Sequence, residues 1–178
     1  MKSYSQAIKI LKKSIITIGN EKIKSSESLN RVTATNIYLK EHYPLADNSS
    51  FDGYAIRSID TKNLSKSRKK LFKILGSIAA GDKPNNLKTK KFQTFEIMTG
   101  GLIPKGFDTI IPIEKIVFYP DKKKPRYIII DKKIKKLQHI RFKGSDFKKK
   151  DLLIKKGTIL QPNHILALKT LGIKNIKV

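Results

Sequence analysis

Residues Asp47–Ile56 read DNSSFDGYAI, a run of turn-forming residues that passes directly into an apolar one. Asp52-Gly53 marks a tight turn, because Gly accepts positive φ and an Asp side chain bonds backbone N–H groups nearby. GYAIRS behind it reads as a strand. Two carboxylates stand close together here, in a chain with 39 Lys and Arg against 14 Asp and Glu. They serve either as turn chemistry, a reading that extends to Asp47-Asn48, or as a small polar site on an ordered frame.

Working outward, Thr33–Lys40 favours a strand through its β-branched residues, and His42, Tyr43 and Pro44 break it. Beyond the loop, LFKILGSIAA, FQTFEIM, TIIPIEKIVFY and RYIIIDKKI read as strands, with a bend at Ala80, Gly81 and Asp82 followed by Pro84 and Asn85. TGGLIPKG and PDKKKP supply turns. Tyr4, Ala7, Ile8, Leu11, Ile15 and Ile18 fall at helical spacing opposite Lys9, Lys12 and Lys13, which predicts an amphipathic helix packed on its own domain or on a partner subunit. DLLIKKGTIL predicts a hairpin around Lys156 and Gly157. QPNHILALKTLGI predicts a short helix that starts at Pro162 or Asn163 and closes at Gly172. The expected fold class is α+β: a mixed β module over 44–133, inserted into an elongated helix-and-hairpin part made of 1–43 and 134–178.

Composition narrows the functional classes. A chain of 178 residues with 39% hydrophobic content can bury a core, so disorder is excluded as the general state. The absence of Cys removes disulfides and thiolate chemistry and fits a reducing compartment. Lysines interrupt each N-terminal apolar run, and no stretch approaches a membrane span, so a soluble cytoplasmic protein with no membrane partner is expected. The net charge of +25 invites a polyanion. Lysines scattered over helix faces, strand edges and loops fit solvated positions better, which disfavours nucleic acid as the partner.

Two further stretches carry chemistry. EIMTGGLIPKGFDTIIPIE runs a strand into Thr99-Gly100-Gly101, offering a hydroxyl and two unhindered backbone N–H groups to an oxyanion. In IRFKGSDFKKKDLLIKKGTIL, Asp146 sits beside Arg141 and Lys143. It reads as a surface ion pair or as an acid next to a metal or phosphate. His42, His139 and His164 show no metal spacing, and no GxSxG elbow occurs.

Taken in order, DNSSFDGYAIR, IMTGGLIPKGFDTIIPIE and RFKGSDF with KKGTIL and LGI behind it resemble the N-terminal region of the molybdopterin molybdenumtransferase family, the bacterial MoeA proteins and the gephyrin E domain. The resemblance covers nearly the whole chain. It implies an enzyme that inserts molybdate into adenylylated molybdopterin with Mg²⁺ and releases AMP. It also implies a homodimer whose cleft is shared with the pterin-binding domain of the other subunit. Asp52, Thr99 and Asp146 are the implied catalytic residues, with Asp52 and Asp146 on the metal. Ser50, Phe51, Gly53, Gly100 and Gly101 are implied to line the cleft. Ser145, Leu102 and Phe51 depart from the family pattern, which usually has an acid, a Pro and a smaller residue at these positions. Val178 falls where the family's pterin-binding domain begins, so this chain alone is not expected to turn over. Two readings from other classes stand beside this one: a basic nucleic-acid-binding module, and a scaffold that only associates with partners.

Overall fold

The computed structural model describes residues 2–14, 18–83 and 88–178. Along the chain come α1 (Tyr4–Lys13), β1 (Lys22–Lys24), β2 (Ile37–Tyr38), β3 (Asn48–Ser49) and β4 (Gly53–Ile56). β5 (Lys70–Ile78), β6 (Gln93–Ile97), β7 (Thr109–Pro112), β8 (Val117–Tyr119) and β9 (Tyr127–Ile130) follow. β10 (Ile140–Arg141), β11 (Leu152–Ile154), α2 (Pro162–Thr170) and β12 (Asn175–Lys177) complete the order. The regular elements are thus mostly strands, with one α-helix near each end. They divide into two compact units, Met1–Leu39 with Lys150–Val178, and Lys40–Lys149.

In the unit Lys40–Lys149, six strands form one sheet in the order β7-β4-β6-β5-β9-β8. β4 pairs antiparallel with both β6 and β7, whereas β5 and β6 run parallel with a register shift between Ile74 and Ser77. Successive residues of a strand face opposite ways. Tyr54 and Ile56 therefore join one core cluster with Phe72, Ile111 and Ile128, and Ala55 joins another with Phe95, Ile97 and Ile110. Burial on both faces explains why GYAI is continuously apolar instead of alternating. The Tyr54 hydroxyl is pushed up to about 12, first by burial and then by the charge of Glu96.

The sequence reading closes this module at Lys133. In the structure the unit runs on to Lys149, because Ile134 is buried in the Tyr54 cluster and residues 140–141 pair with β3. TIIPIEKIVFY is not one strand. Pro112 has no N–H to extend a ladder, and a 3₁₀ turn at Ile113–Lys115 separates β7 from β8.

In the other unit, β11 pairs with β2 and Ile159 bridges Val32, so residues 152–159 run beside 32–38 and do not fold back on themselves. The expected hairpin does not form. Its would-be turn is held instead by buried Thr33, whose hydroxyl donates to the Lys155 carbonyl (2.8 Å) and accepts from the Thr158 N–H (3.1 Å). α2 starts with Pro162 in its first turn, and Nδ1 of His164 accepts the Gln161 N–H (3.0 Å). Gly172 follows it at φ 69°. α1 spans Tyr4–Lys13, capped by Ser3, and buries none of its residues. Ser14 turns both its N–H and its hydroxyl back to the Ile10 carbonyl at its end. Ile15, Pro84 and Asn85 of the sequence reading lie outside the described residues. Among those residues no helix is long and apolar enough to cross a membrane.

Gly53 is the tightest point of the sheet: a Cβ there would lie 2.1 Å from the Ile111 carbonyl oxygen. That neighbour is backbone and cannot swing aside. Gly53→Ala is expected to lower stability by about 3 kcal/mol in urea denaturation. A variant as stable as the parent would show that β4 and β7 are not packed at this distance.

Candidate functional site

Short-range chemistry in Asp47–Asp52 reaches two distant loops. Asp47 accepts the Lys143 N–H on Oδ1 (2.7 Å), and its carbonyl accepts the Ile103 N–H (3.1 Å). Asn48 and Ser49 pair with Arg141 and Ile140 on one side. On the other side Ser49 donates its N–H to the Gly101 carbonyl (2.9 Å) and accepts the Gly100 N–H (2.8 Å). The Ser50 N–H donates to the His139 carbonyl (3.0 Å), and the Phe51 and His139 rings meet edge to face at 4.9 Å. Asp52 then takes both the N–H (2.6 Å) and the hydroxyl (2.8 Å) of Thr99 on Oδ1. The two carboxylates that stand out in the sequence thus hold one loop each.

The Asp52 carboxyl is held below its ordinary value of 3.8, first by the Thr99 backbone N–H and then by the Thr99 hydroxyl. A depressed folded-state value means that the ionised clasp supports the fold above the ordinary pKa. That support is lost as pH falls through the lowered one. Asp52 and Thr99 are both exposed, and Oδ2 of Asp52 accepts no hydrogen bond among the described residues. This leaves a fixed, charged oxygen facing solvent at the end of β6.

Asp146 has other partners. Its carboxylate is gripped by both arms of the Arg141 guanidinium and accepts the Ser145 hydroxyl (3.0 Å), and Arg141 in turn lies over the Tyr43 ring at 5.6 Å. Asp146 is lowered chiefly by Arg141, with Ser145 adding to it against the opposing effect of burial. The structure therefore brings Asp52 and Thr99 into contact and ties Asp146 to the same seam through the β10–β3 pairing. Asp146 and Asp52 have separate hydrogen-bond partners. Magnesium takes one or two carboxylates and leaves its other positions to water and phosphate oxygens. Asp52 fits that demand. Both oxygens of Asp146 already accept hydrogen bonds, so a metal there would compete with Arg141, and no group of three or more His, Asp or Glu among the described residues gathers to hold a metal.

The expected oxyanion turn is also more committed than its composition implies. The Gly100 N–H goes to the Ser49 carbonyl and the Gly101 N–H to the Met98 carbonyl (2.8 Å). Gly100 sits at φ 81° with a would-be Cβ 3.3 Å from Ala80 Cβ, and Gly101 is boxed in by Ile97, Met98 and Ile78. Their lack of side chains serves packing rather than exposure. Gly53 and Gly101 are buried, whereas Ser50 and Phe51 are exposed at the surface of the seam.

Residues 2–172 match the family model described as the MoeA N-terminal region, domains I and II. The chain belongs to that family. Curated relatives of this MoeA N-terminal region include the molybdopterin molybdenumtransferases of Staphylococcus aureus strain Mu50, 33% identical over 163 residues (92% of this chain, 36% of the relative), and of Staphylococcus epidermidis, 30% identical over 176 residues (99% and 41%). A crystal structure of the molybdopterin biosynthesis MoeA protein from Pyrococcus horikoshii superposes with a TM-score of 0.84 at 30% identity, covering 98% of this chain and 43% of that one. The chain therefore spans about two-fifths of the length of these relatives.

Three residues of the seam escape a reading of the sequence. Asp47 shows only an Asx-turn signal, and its partner Lys143 is remote along the chain. His139 is an isolated histidine whose φ of 58° turns its carbonyl to Ser50. Asn48 is buried with Oδ1 unpartnered among the described residues. Because the backbone N–H is the larger cause at Asp52, Thr99→Val is expected to raise the Asp52 pKa toward its ordinary value without reaching it. NMR titration of the carboxyl carbon would check this. An unmoved midpoint would remove the hydroxyl from the clasp.

Proposed function

We propose that this chain forms one wall of the site at which a molybdopterin molybdenumtransferase inserts molybdate into adenylylated molybdopterin with magnesium. The observation that supports the proposal is the Asp52–Thr99 clasp, which lies within the stretch 2–172 that matches the family. The substrate is anionic, and a lone exposed carboxylate facing it would repel it. A magnesium ion held on Asp52 would supply the positive charge that makes the two compatible and would bind phosphate oxygens.

The chain's own groups prepare that role. Two Thr99 donors keep Asp52 ionised and fix Oδ1, so that Oδ2 is presented in one orientation. Ser50 and Phe51 flank it on the exposed side of the seam. Asp146 enters as a positioning residue: it fixes Arg141, a cation on the strand paired with Asn48. In this reading the enzyme is a homodimer in which a pterin-binding domain of the other subunit faces this wall. The uncovered apolar residues of α1, Tyr4 and Leu11 among them, support α1 as part of the dimer contact.

The test is a chimera in which residues 2–172 replace the matching region of the Staphylococcus aureus enzyme, assayed with adenylylated molybdopterin, molybdate and magnesium. The chimera is expected to turn over. Asp52→Asn, which keeps an acceptor for Thr99 but loses the charge, is expected to slow it by about 100-fold, a magnitude typical of removing one transition-state charge contact. Turnover at the parent rate would take Asp52 out of the mechanism.

A further inference from the structure

Lysines that look scattered in the sequence gather in the fold. In the unit Lys40–Lys149, residues 131–138 (DKKIKKLQ) form a strap pinned along its length. Ile134 is buried in the core, and its N–H donates to the Thr61 hydroxyl (2.9 Å). The Thr109 hydroxyl donates to the Lys135 carbonyl (3.1 Å) and accepts the Gln138 N–H (3.2 Å), and the Leu137 N–H donates to the Asp108 carbonyl (2.8 Å). With the backbone fixed on both sides of Ile134, the four strap lysines stand exposed in set places.

Two hollows border Ile134. The smaller, about 300 Å³, is bordered by Lys115 and Lys132, and the larger, about 640 Å³, by Lys62 and Lys136. Lys133, Ile134 and Lys135 border both. None of these six lysines has an ion-pair partner among the described residues. The carboxylate that borders the larger hollow, Asp108, is already occupied, taking the Ser58 N–H on one oxygen (2.7 Å) and the Ser58 hydroxyl on the other (2.9 Å).

Six cations around adjoining hollows raise the local concentration of anions and favour one that carries several charges. Ammonium groups bind phosphate as point charges without the planar fork of Arg. The volumes match small-molecule sites rather than a duplex groove. No Phe, Tyr or Trp borders either hollow, and the His139 ring at the smaller one is already packed edge to face on Phe51, so neither hollow offers the aromatic stacking platform that single-stranded nucleic acid uses. We infer that the Lys132–Lys136 strap and its two hollows bind a phosphate-chain anion, either a free polyphosphate or the phosphate chain of a nucleotide. This inference does not depend on the transferase reading.

Calorimetric titration of the 178-residue chain with tripolyphosphate is expected to give saturable binding at one site, weakening as salt rises. Lys133→Gln with Lys135→Gln should weaken it about tenfold or more, the effect of losing a charged hydrogen bond. Lys122→Gln with Lys123→Gln removes the same charge from the exposed turn between β8 and β9 and should leave it unchanged. ADP binding at the same site while adenosine does not bind would assign the site to nucleotides, and binding of tripolyphosphate alone would assign it to free polyphosphate. Both are phosphate-chain recognition. Non-saturable binding, equal losses in the two double variants, or a preference for duplex DNA that the strap variant abolishes would each overturn the inference.

Discussion

The site depends on carboxylates that bind backbone N–H groups across long sequence separations. Asp52 takes two donors from Thr99, and Asp47 takes the amide of Lys143. A charged acceptor strengthens a hydrogen bond to an amide and shortens it. Each clasp also closes a long loop, whose entropic cost grows only slowly with length. Between them, β3 adds backbone pairing to both neighbours. The stretch 47–52 is consequently the piece on which the TGG turn and the loop of Lys143 and Asp146 are assembled.

Much of this was legible in the residues. GYAI and the Ile110–Ile111 pair of TIIP are apolar at successive positions because period-2 alternation sends their side chains into two separate cores, and such a run reads as a buried strand. Arg141 beside Asp146 announced an ion pair, and the ion pair is present. What was not legible depends on partners far along the chain. The glycines of TGG look like open donors, yet their amides are used by Ser49 and Met98, which no local pattern reveals. DLLIKKGTIL has the composition of a hairpin, but the Thr33 hydroxyl and the β2 edge offered its backbone better partners.

Charge followed the same logic. A linear count of lysines carries no information about where their side chains collect. The strap at 131–138 is basic at four positions, but only its anchoring by Thr61 and Thr109 sets those charges beside Lys62 and Lys115. Two buried threonine hydroxyls thereby organise a surface whose chemistry they do not share.

The ribbon between 32–38 and 152–159 has a consequence for the order in which the polypeptide folds. Its strands are separated by all of residues 40–149, so on its own it would form slowly, as long-range pairings do. The inserted unit ties its own ends together: the Tyr43 N–H donates to the Phe147 carbonyl (2.8 Å), the Gly144 N–H to the Pro44 carbonyl (2.9 Å) and the Lys149 N–H to His42 (3.3 Å). Once that unit has condensed, Leu39 and Lys150 are delivered as neighbours, and the N-terminal segment of a nascent chain waits for the middle before it finds its mate.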